Sequence, residues 1–595
     1  MTTKRLLKEE VSVAEAIVRV LEEAGIDLVF GLPGGNMRKY LFDALYDHQT
    51  SIRTVLVRHE SLAGVMAEVY GCLTGKPGVA IAQGAFMLAN GLLGAVVAHL
   101  GCSPMLLLCD LSDGAPFSHH GNYQSGTGEH GTWDAKQSFA GVTKATMVPN
   151  EAMQAVQSTQ LAIKHALAGE RGPVAVVYHS SALKGRVGPE SRPFLYPTQR
   201  YLPPKCQASD EKSVAAAARV LLEAKRPVII AGNGVRMAEA YSELQSFAEL
   251  LGVPVCTTGS GKGVFPENHD LAAGVLGTFG LPAANAFAEN ADVVLVVGSK
   301  LSSTDTIGEH PRLLDPQRQT FIQIDIEPKN ASWTFPCDHV LLGDAAIVLD
   351  HLALAARKIG LPSPEMLAER KKVVLQERTR YGFFNIPEFE SNEVPIIPQR
   401  VIAELRKAAA DDVFIACDAG ATPTYVRTFF QIRQAGTFIS PSSVGAVGYG
   451  IPAALAAKLI YPKRQVIAMC GDGGFAMSLP GLITAYEEKI PIVVVVFNNS
   501  SFGFVQHNQG DRVIASRFAN IDYAAMARGL GCRGIRIEKP DHLEGAFHEA
   551  LSSNEPSVLD VVTSLKYSVQ DIASPLIDYF AVLKSALARA IEPRK

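Results

Sequence analysis

Two short apolar runs, one helix's length apart, constrain this sequence more than any other feature. Val466-Ile467-Ala468-Met469-Cys470 stops at Gly471-Asp472-Gly473, and Pro491 to Phe497 stops at Asn498-Asn499. Leu482 to Glu488 between them has helical composition, so the unit reads as strand–loop–helix–strand, half of a parallel sheet. The two strand ends present Asp472 and, 27 residues later, Asn499 at the carboxyl edge, where open α/β sheets bind ligands. Both are oxygen ligands suited to Mg²⁺, which takes one or two carboxylates and fills its shell with phosphate oxygens. Gly473 and Gly474 let the backbone approach a phosphate closely at the N-terminus of whatever helix follows. Taken alone, Gly-Asp-Gly fits an ordinary glycine turn equally well.

At 595 residues the chain exceeds what one core supports, and ordinary domain sizes predict about three or four domains. Hydrophobic residues make up 47% and charged residues 19%, the balance of a soluble α/β protein. A net charge of −4 without basic blocks argues against a nucleic-acid partner. The nine cysteines include no Cys-x-x-Cys, and Cys109 and Cys470 sit inside apolar runs; reduced, buried thiols of a cytoplasmic protein are the simplest account. No apolar segment follows the charged first ten residues, and the apolar stretches Leu92 to Leu100 and Val493 to Phe497 are too short to span a bilayer. Neither a secretory signal nor a membrane anchor is expected.

Strand and helix signals alternate along the whole chain. Residues 1–185 hold a first α/β domain, with an amphipathic helix (Ala14, Ile17, Val18, Leu21), the strand Leu28–Phe30 and the turn Gly31-Leu32-Pro33-Gly34-Gly35-Asn36. Thr54–Val57, the helix Ser61–Leu73, Gly78–Ala82, the helix Leu88–His99, Pro104–Leu108 and Val174–Val177 follow. Residues 186–208, rich in Pro and Arg, read as a linker. A second α/β domain, 209–356, has strands at Val228–Ala231, Val255–Thr258, Val293–Val297 and Phe321–Ile326; its Gly232-Asn233-Gly234 turn lacks the full GxGxxG spacing. A second linker, 357–396, is charged and helical at first. The third domain, 397–566, opens on Val413–Cys417 and closes on Ser557–Val562, and the tail 567–595 carries an amphipathic stretch (Tyr579, Phe580, Leu583, Leu587).

Two further segments carry chemistry. Val57-Arg58-His59-Glu60 delivers a carboxylate from a strand end straight into a helix, a position the helix macrodipole favours by itself. Residues 110–134 form a long polar loop rich in Gly, Ser and His, of a length typical of lids and binding loops. Its His119, His120 and His130 lack the carboxylate partner and the spacing of a zinc site, so no zinc is expected.

Asp472 followed by Asn499 after 27 residues resembles the diphosphate–magnesium motif of thiamine diphosphate enzymes. The resemblance covers nearly the whole chain, in the order pyrimidine domain, middle domain, diphosphate domain, and implies three α/β domains with Rossmann-like or flavodoxin-like parallel sheets. It implies Asp472 and the Asn499 side chain as metal ligands, with the Ser501 carbonyl as the third. Ala421, Thr422, Gly471, Gly473, Gly474, Phe502 and Gly503 then border the cofactor. By the same resemblance Gly445 supplies a carbonyl to the 4′-amino group and Val447 wedges between the two rings. The resulting bend brings the 4′-nitrogen within proton-transfer reach of C2.

Arg58-His59-Glu60 with Ala63-Gly64 and Ala67 resembles the acetohydroxyacid synthase and benzoylformate decarboxylase branch, which makes Glu60 the residue that activates the cofactor at N1′. Gln83 to Asn90 aligns with the family's Gly-Pro-Gly-Ala-Thr-Asn loop but departs from it at Ala85-Phe86-Met87. Gln83 falls where benzoylformate decarboxylase carries a histidine, on the substrate cavity, and His119 and His120 are similar to the histidine pair of pyruvate decarboxylase.

The resemblance implies thiamine diphosphate, Mg²⁺ and a 2-oxo acid or other small carbonyl substrate. Gly34-Gly35-Asn36 and the Arg-His-Glu context favour decarboxylation followed by transfer to a second carbonyl. The alternatives are a simple decarboxylase releasing an aldehyde and a carbon–carbon hydrolase or lyase on the same cofactor. From other classes, an FAD-linked oxidoreductase would rest on Gly232-Asn233-Gly234 and make Glu60 dispensable, and a non-catalytic homologue would have lost Glu60 or Asp472. The middle domain leaves FAD open. Sites shared between subunits imply a homodimer or homotetramer, with no nucleic acid and no membrane as partner.

Overall fold

The computed structural model describes residues 5–113, 124–129, 131–205, 209–441 and 444–571. Three parallel six-stranded sheets form its frame, with one small antiparallel pair, Val11–Ser12 with Arg186–Val187. The first sheet holds Leu28–Gly31, Arg53–Leu56, Gly78–Ile81, Met105–Leu111, Ala145–Met147 and Pro173–His179. Numbered in chain order, these strands lie 2-1-3-4-6-5 across the sheet. The third sheet holds Phe414–Cys417, Phe438–Ile439, Val466–Gly471, Val493–Asn498, Arg533–Ile537 and Ser557–Val562, and its strands lie in the same order, 2-1-3-4-6-5. The middle sheet, from Pro227–Ala231 to His339–Leu342, runs 3-2-1-4-5-6.

That ordering decides where ligands can enter. In the first and third sheets the order reverses between strands 1 and 3, and at such a switch point the loops leaving adjacent strands diverge to opposite faces and open a crevice. In the first sheet the crevice lies above Gly31 and Ile81, which pair in register. In the third it lies above Cys417 and Met469.

Local sequence explains the elements. The helix Val13–Glu23 opens on a capping arrangement, Ser12 Oγ accepting from the Glu15 N–H at 3.1 Å, and buries Val13, Ile17, Val20 and Leu21 on one face. Val493–Asn498 is buried at all six positions, as expected of a β-branched strand covered on both faces. Each of its valines contributes roughly 1.5–3 kcal/mol by leaving water. The helix Pro364–Tyr381 buries only Val374 and bridges the second and third domains in the chain as an exposed, charged segment.

Three expectations are corrected. The helix expected over Leu88–His99 is two helices, Gly84–Asn90 and Leu92–Gly101, bent by 61°. Gly91 breaks it, and a Cβ on Gly94 would overlap the backbone of Gly64, so the second half is fixed by backbone contact with the helix Glu60–Thr74. The loop expected after Gly471 is a helix, Asp472–Ser478, followed by Pro480–Glu487. An acidic residue in a first helical turn is favoured by the macrodipole. The segment read as a linker after residue 185 is anchored: Arg186–Val187 pairs with Val11–Ser12, and Leu195 and Thr198 are buried.

The chain groups into two compact units, Met1–Pro204 with Pro441–Pro462 and Ser478–Pro491, and Lys205–Ser440 with Lys463–Met477 and Ile492–Lys595. Six of the eight described cysteines are buried. Among the described residues no single helix is long and apolar enough to cross a membrane; the bent pair at Gly91 passes such a test only as a pair.

Candidate active site

The switch point of the first sheet carries a pocket of about 320 Å³ lined by Leu32, Pro33, Gly34, Glu60, Gln83, Phe86 and Asn90. Glu60 is the first residue of its helix and is 9% exposed. His59 caps that helix through Nδ1, which accepts from the Ser61 N–H, so the strand-to-helix turn aims Glu60 inward. Asn90 Nδ2 donates to Glu60 Oε2 at 2.9 Å. Gln83 precedes the helix Gly84–Asn90, with its side chain against Gly34: a Cβ there would stand 2.8 Å from Gln83 Cδ. Glu60 and Gln83 therefore share one pocket. Asn90 was missed as a site residue; its one signal is the Asn-Gly that closes the motif, now seen at the break between two helices.

The switch point of the third sheet gathers the second set. Asp472 is 2% exposed, and its Oδ1 accepts from the Gly473 N–H at 2.8 Å. Its Oδ2 accepts from the N–H groups of Asn499 (3.1 Å) and Ser501 (3.2 Å). Burial pushes the carboxyl up to about 6, against the pull of these amides. The two asparagines have separate roles. Asn498 Nδ2 donates to Asp560 Oδ1 and to the Ile521 carbonyl, which fixes the strand end. Asn499 Oδ1 is buried and has no hydrogen-bond partner.

A buried acceptor left unpaired beside a carboxylate is what a cation would satisfy, so the donor set fits Mg²⁺. Ser501 lies beside this pair. Its neighbours Ser500 and Phe502 pair with Phe518 and Ser516, so Ser501 turns its own N–H towards Asp472, and in extended backbone the carbonyl of the same residue faces the same side. Ser500 adopts the left-handed conformation (φ 55°) that this reversal needs.

The remaining residues of this edge are close-packed. A Cβ on Gly473 would overlap the ring of Phe502, and one on Gly474 would stand 2.9 Å from Asp418 Oδ1, so the helix Asp472–Ser478 seats only with glycine at both positions. Thr422 Oγ1 lies 3.4 Å from where a Cβ on Gly471 would be. Ala421 and Thr422 open the helix Ala421–Phe429, whose amides receive no side-chain cap, and Gly503 opens Gly503–Gln509. Uncapped N–H groups beside a buried cation site suit a diphosphate.

Gly445, in the left-handed region at φ 62°, and Val447, 36% exposed, lie on the loop before the helix Gly450–Ile460, apart from the lining of the Glu60 pocket. The exposure of Val447 rules out plain core packing. His119, His120 and His130 fall outside the described residues. No cluster of three or more His, Cys, Asp or Glu side chains that could hold a metal occurs among the described residues.

Three family models match in chain order. Residues 11–127 match the N-terminal TPP binding domain of thiamine pyrophosphate enzymes, 214–352 their central domain and 418–561 their C-terminal TPP binding domain. A Methanocaldococcus jannaschii protein named as a probable acetolactate synthase large subunit is 31% identical over 565 residues, 92% of this chain and 91% of that one. The acetolactate synthase large subunit of Corynebacterium glutamicum is 30% identical over 575 residues, 93% of this chain and 87% of its own. Acetolactate synthase isozyme 3 large subunit of Escherichia coli is 28% identical over 563 residues, 91% and 92% of the two chains. With all three domains matching in the same order and relatives at 30–31% identity over more than nine-tenths of the chain, the chain belongs to the thiamine pyrophosphate enzyme family.

Proposed function

We propose that the protein is a magnesium-dependent carboligase that decarboxylates a 2-oxo acid and transfers the acyl unit to a second carbonyl. Thiamine diphosphate, when bound, supplies a nucleophilic carbon and a sink for the electrons left by departing carbon dioxide. Asp472, the Asn499 side chain and the Ser501 carbonyl hold the metal; Thr422 and the uncapped amides around it hold the diphosphate. Glu60, oriented by Asn90, would hold a proton at N1′, and Gly445 and Val447 would lie against the two rings.

One observation carries the choice of reaction. Among the described residues lining its pocket, Glu60 is the one ionisable side chain, and the other polar side chains are the amides of Gln83 and Asn90. An aldehyde-releasing enzyme must protonate its carbanion from a nearby acid; an amide-lined pocket favours a carbonyl acceptor. The names of the synthase relatives support the same reading.

FAD has no part in the proposed steps. In the middle domain the Gly232 and Gly234 amides donate to the Val297 and Gly298 carbonyls at 2.8 and 2.9 Å, so these two amides are already engaged within the fold. We take the complete site to form between subunits of a cytoplasmic homodimer or homotetramer; exposed Phe86 (48%) and Val447 support this.

The deciding experiment titrates Mg²⁺ and thiamine diphosphate, then adds pyruvate and a panel of branched and aryl 2-oxo acids, reading carbon dioxide and carbon products together by mass spectrometry. Carbon dioxide with a coupled product is the expected result. Free aldehyde would make the enzyme a decarboxylase, and cofactor binding without turnover of any acid would point to diketone or other non-acidic donors.

A further inference from the structure

The strand Met105–Leu111 is buried at all seven positions, and its sequence, Met-Leu-Leu-Leu-Cys-Asp-Leu, carries one charge. Asp110 is 2% exposed. Burial raises the pKa of its carboxyl, against the backbone amides of Asn36 and Gly84. Its Oδ2 accepts from the Asn36 N–H at 2.8 Å, and its Oδ1 is buried with no partner. A Cβ on Gly35 would stand 2.8 Å from Asp110 Oδ2 and 2.9 Å from Gln83 Nε2, so both side chains close on one glycine behind the pocket wall. The Asp110 carbonyl presses on Gly84, where a Cβ would overlap it, and the Trp133 ring lies 3.8 Å from that same point. A buried carboxylate with an unpaired oxygen is costly in a strand end that an apolar residue could fill. Such a cost is kept where it sets geometry.

We propose that Asp110 is a positioning residue of the Glu60 pocket, joining the Asn36 turn to the Gly84 turn and so fixing the Gln83 amide beside Glu60. Asp110 does not line the pocket and acts through Gln83. The kinetic part of the test rests on the reaction proposed above; the spectroscopic part does not.

The chain has two tryptophans, so Trp333→Phe leaves Trp133 as the only reporter at the Gly84 turn. In that background Asp110→Ala should shift Trp133 emission, and Asp110→Asn, which keeps an acceptor for Asn36, should restore it. On the 2-oxo acid that the wild type turns over, Asp110→Ala should lower kcat by about 10–100-fold with KM changed far less, since small misplacements act on the chemical step. Gln83→Ala should lower kcat similarly, and the double variant should be no worse than either single one. Unchanged emission, or losses that multiply in the double variant, would overturn the proposal. If Asp110→Ala does not fold, Asp110→Ser takes its place in the same cycle. A wild type inert on every acid sinks the reaction reading instead, and the emission shift with its rescue by Asp110→Asn then decides.

Discussion

Glu68 and Tyr449 stand 381 residues apart in the chain and meet in a buried 2.8 Å hydrogen bond, Tyr449 Oη donating to Glu68 Oε2. Ser103 Oγ donates to the other carboxylate oxygen at 2.7 Å. Glu68 lies about two turns along the helix that Glu60 opens, and Tyr449 ends the loop carrying Gly445 and Val447. The bond therefore couples the helix that Glu60 opens to the loop that carries Gly445 and Val447. Tyr449→Phe removes a buried hydrogen bond to a carboxylate and should cost about 1–3 kcal/mol, read as a lower urea midpoint at unchanged slope. Thiamine diphosphate affinity should fall with it. A variant with both quantities at wild-type values would show the bond to be dispensable.

Glu60→Gln keeps the shape of the pocket and its hydrogen bond to Asn90 but removes the charge. Turnover should fall by about 10²–10⁴-fold, the range of lost acid–base catalysis, with an unchanged circular dichroism spectrum. Asn90→Ala should lose about tenfold, the worth of one hydrogen bond to a charged group. Wild-type turnover in Glu60→Gln would refute its role.

Asp472 makes a prediction with a definite sign. Its carboxyl titrates at about 6 in the fold, above the ordinary value of 3.8, because burial disfavours the charge. The folded state thus holds the proton more tightly. The group favours folding most below pH 4, and its contribution falls as pH rises from 4 through 6. A difference of this size is worth about 3 kcal/mol. Without metal, the wild type should therefore lose stability between pH 4 and 7, and Asp472→Asn, which has no proton to release, should not show that loss. Mg²⁺ with thiamine diphosphate should stabilise the wild type and leave the variant unmoved. Equal stabilisation of both would remove Asp472 from the metal site.

What was legible in the sequence was local. Asp472, Asn499 and Glu60 each end an apolar run, and a strand end can be read from the run itself. The break at Gly91 was not, because Gly64 and Gly94 fix it across two helices, with no trace in the spacing of Leu88 to His99. The helix at Asp472 was hidden by Gly473 and Gly474, which read as turn residues but are there because Phe502 and Asp418 leave no room for a side chain. Asp110 looked like the start of a polar loop and is the buried end of a strand. The shared 2-1-3-4-6-5 order of the first and third sheets was equally invisible, since strand order comes from long-range pairing while the two sequences show no clean repeat.

The second unit holds a buried pair whose energetics can be separated. Lys262 Nζ lies 2.8 and 2.9 Å from the two Glu267 carboxylate oxygens, with side chains 0% and 2% exposed. Glu267 also accepts from the Ile432 N–H at 2.7 Å and donates its own N–H to the Ile432 carbonyl, tying the middle domain to the third. Burial lowers the pKa of Lys262 and raises that of Glu267, while their attraction opposes both shifts. Removing one partner strands the other charge, so Lys262→Met should cost about 3–5 kcal/mol. Lys262→Met with Glu267→Gln has no charge to strand and keeps the acceptor for Ile432, so it should recover most of that loss in urea unfolding. A double variant as unstable as the single one would show that the ion pair itself, rather than the cost of an uncompensated carboxylate, holds the two domains together.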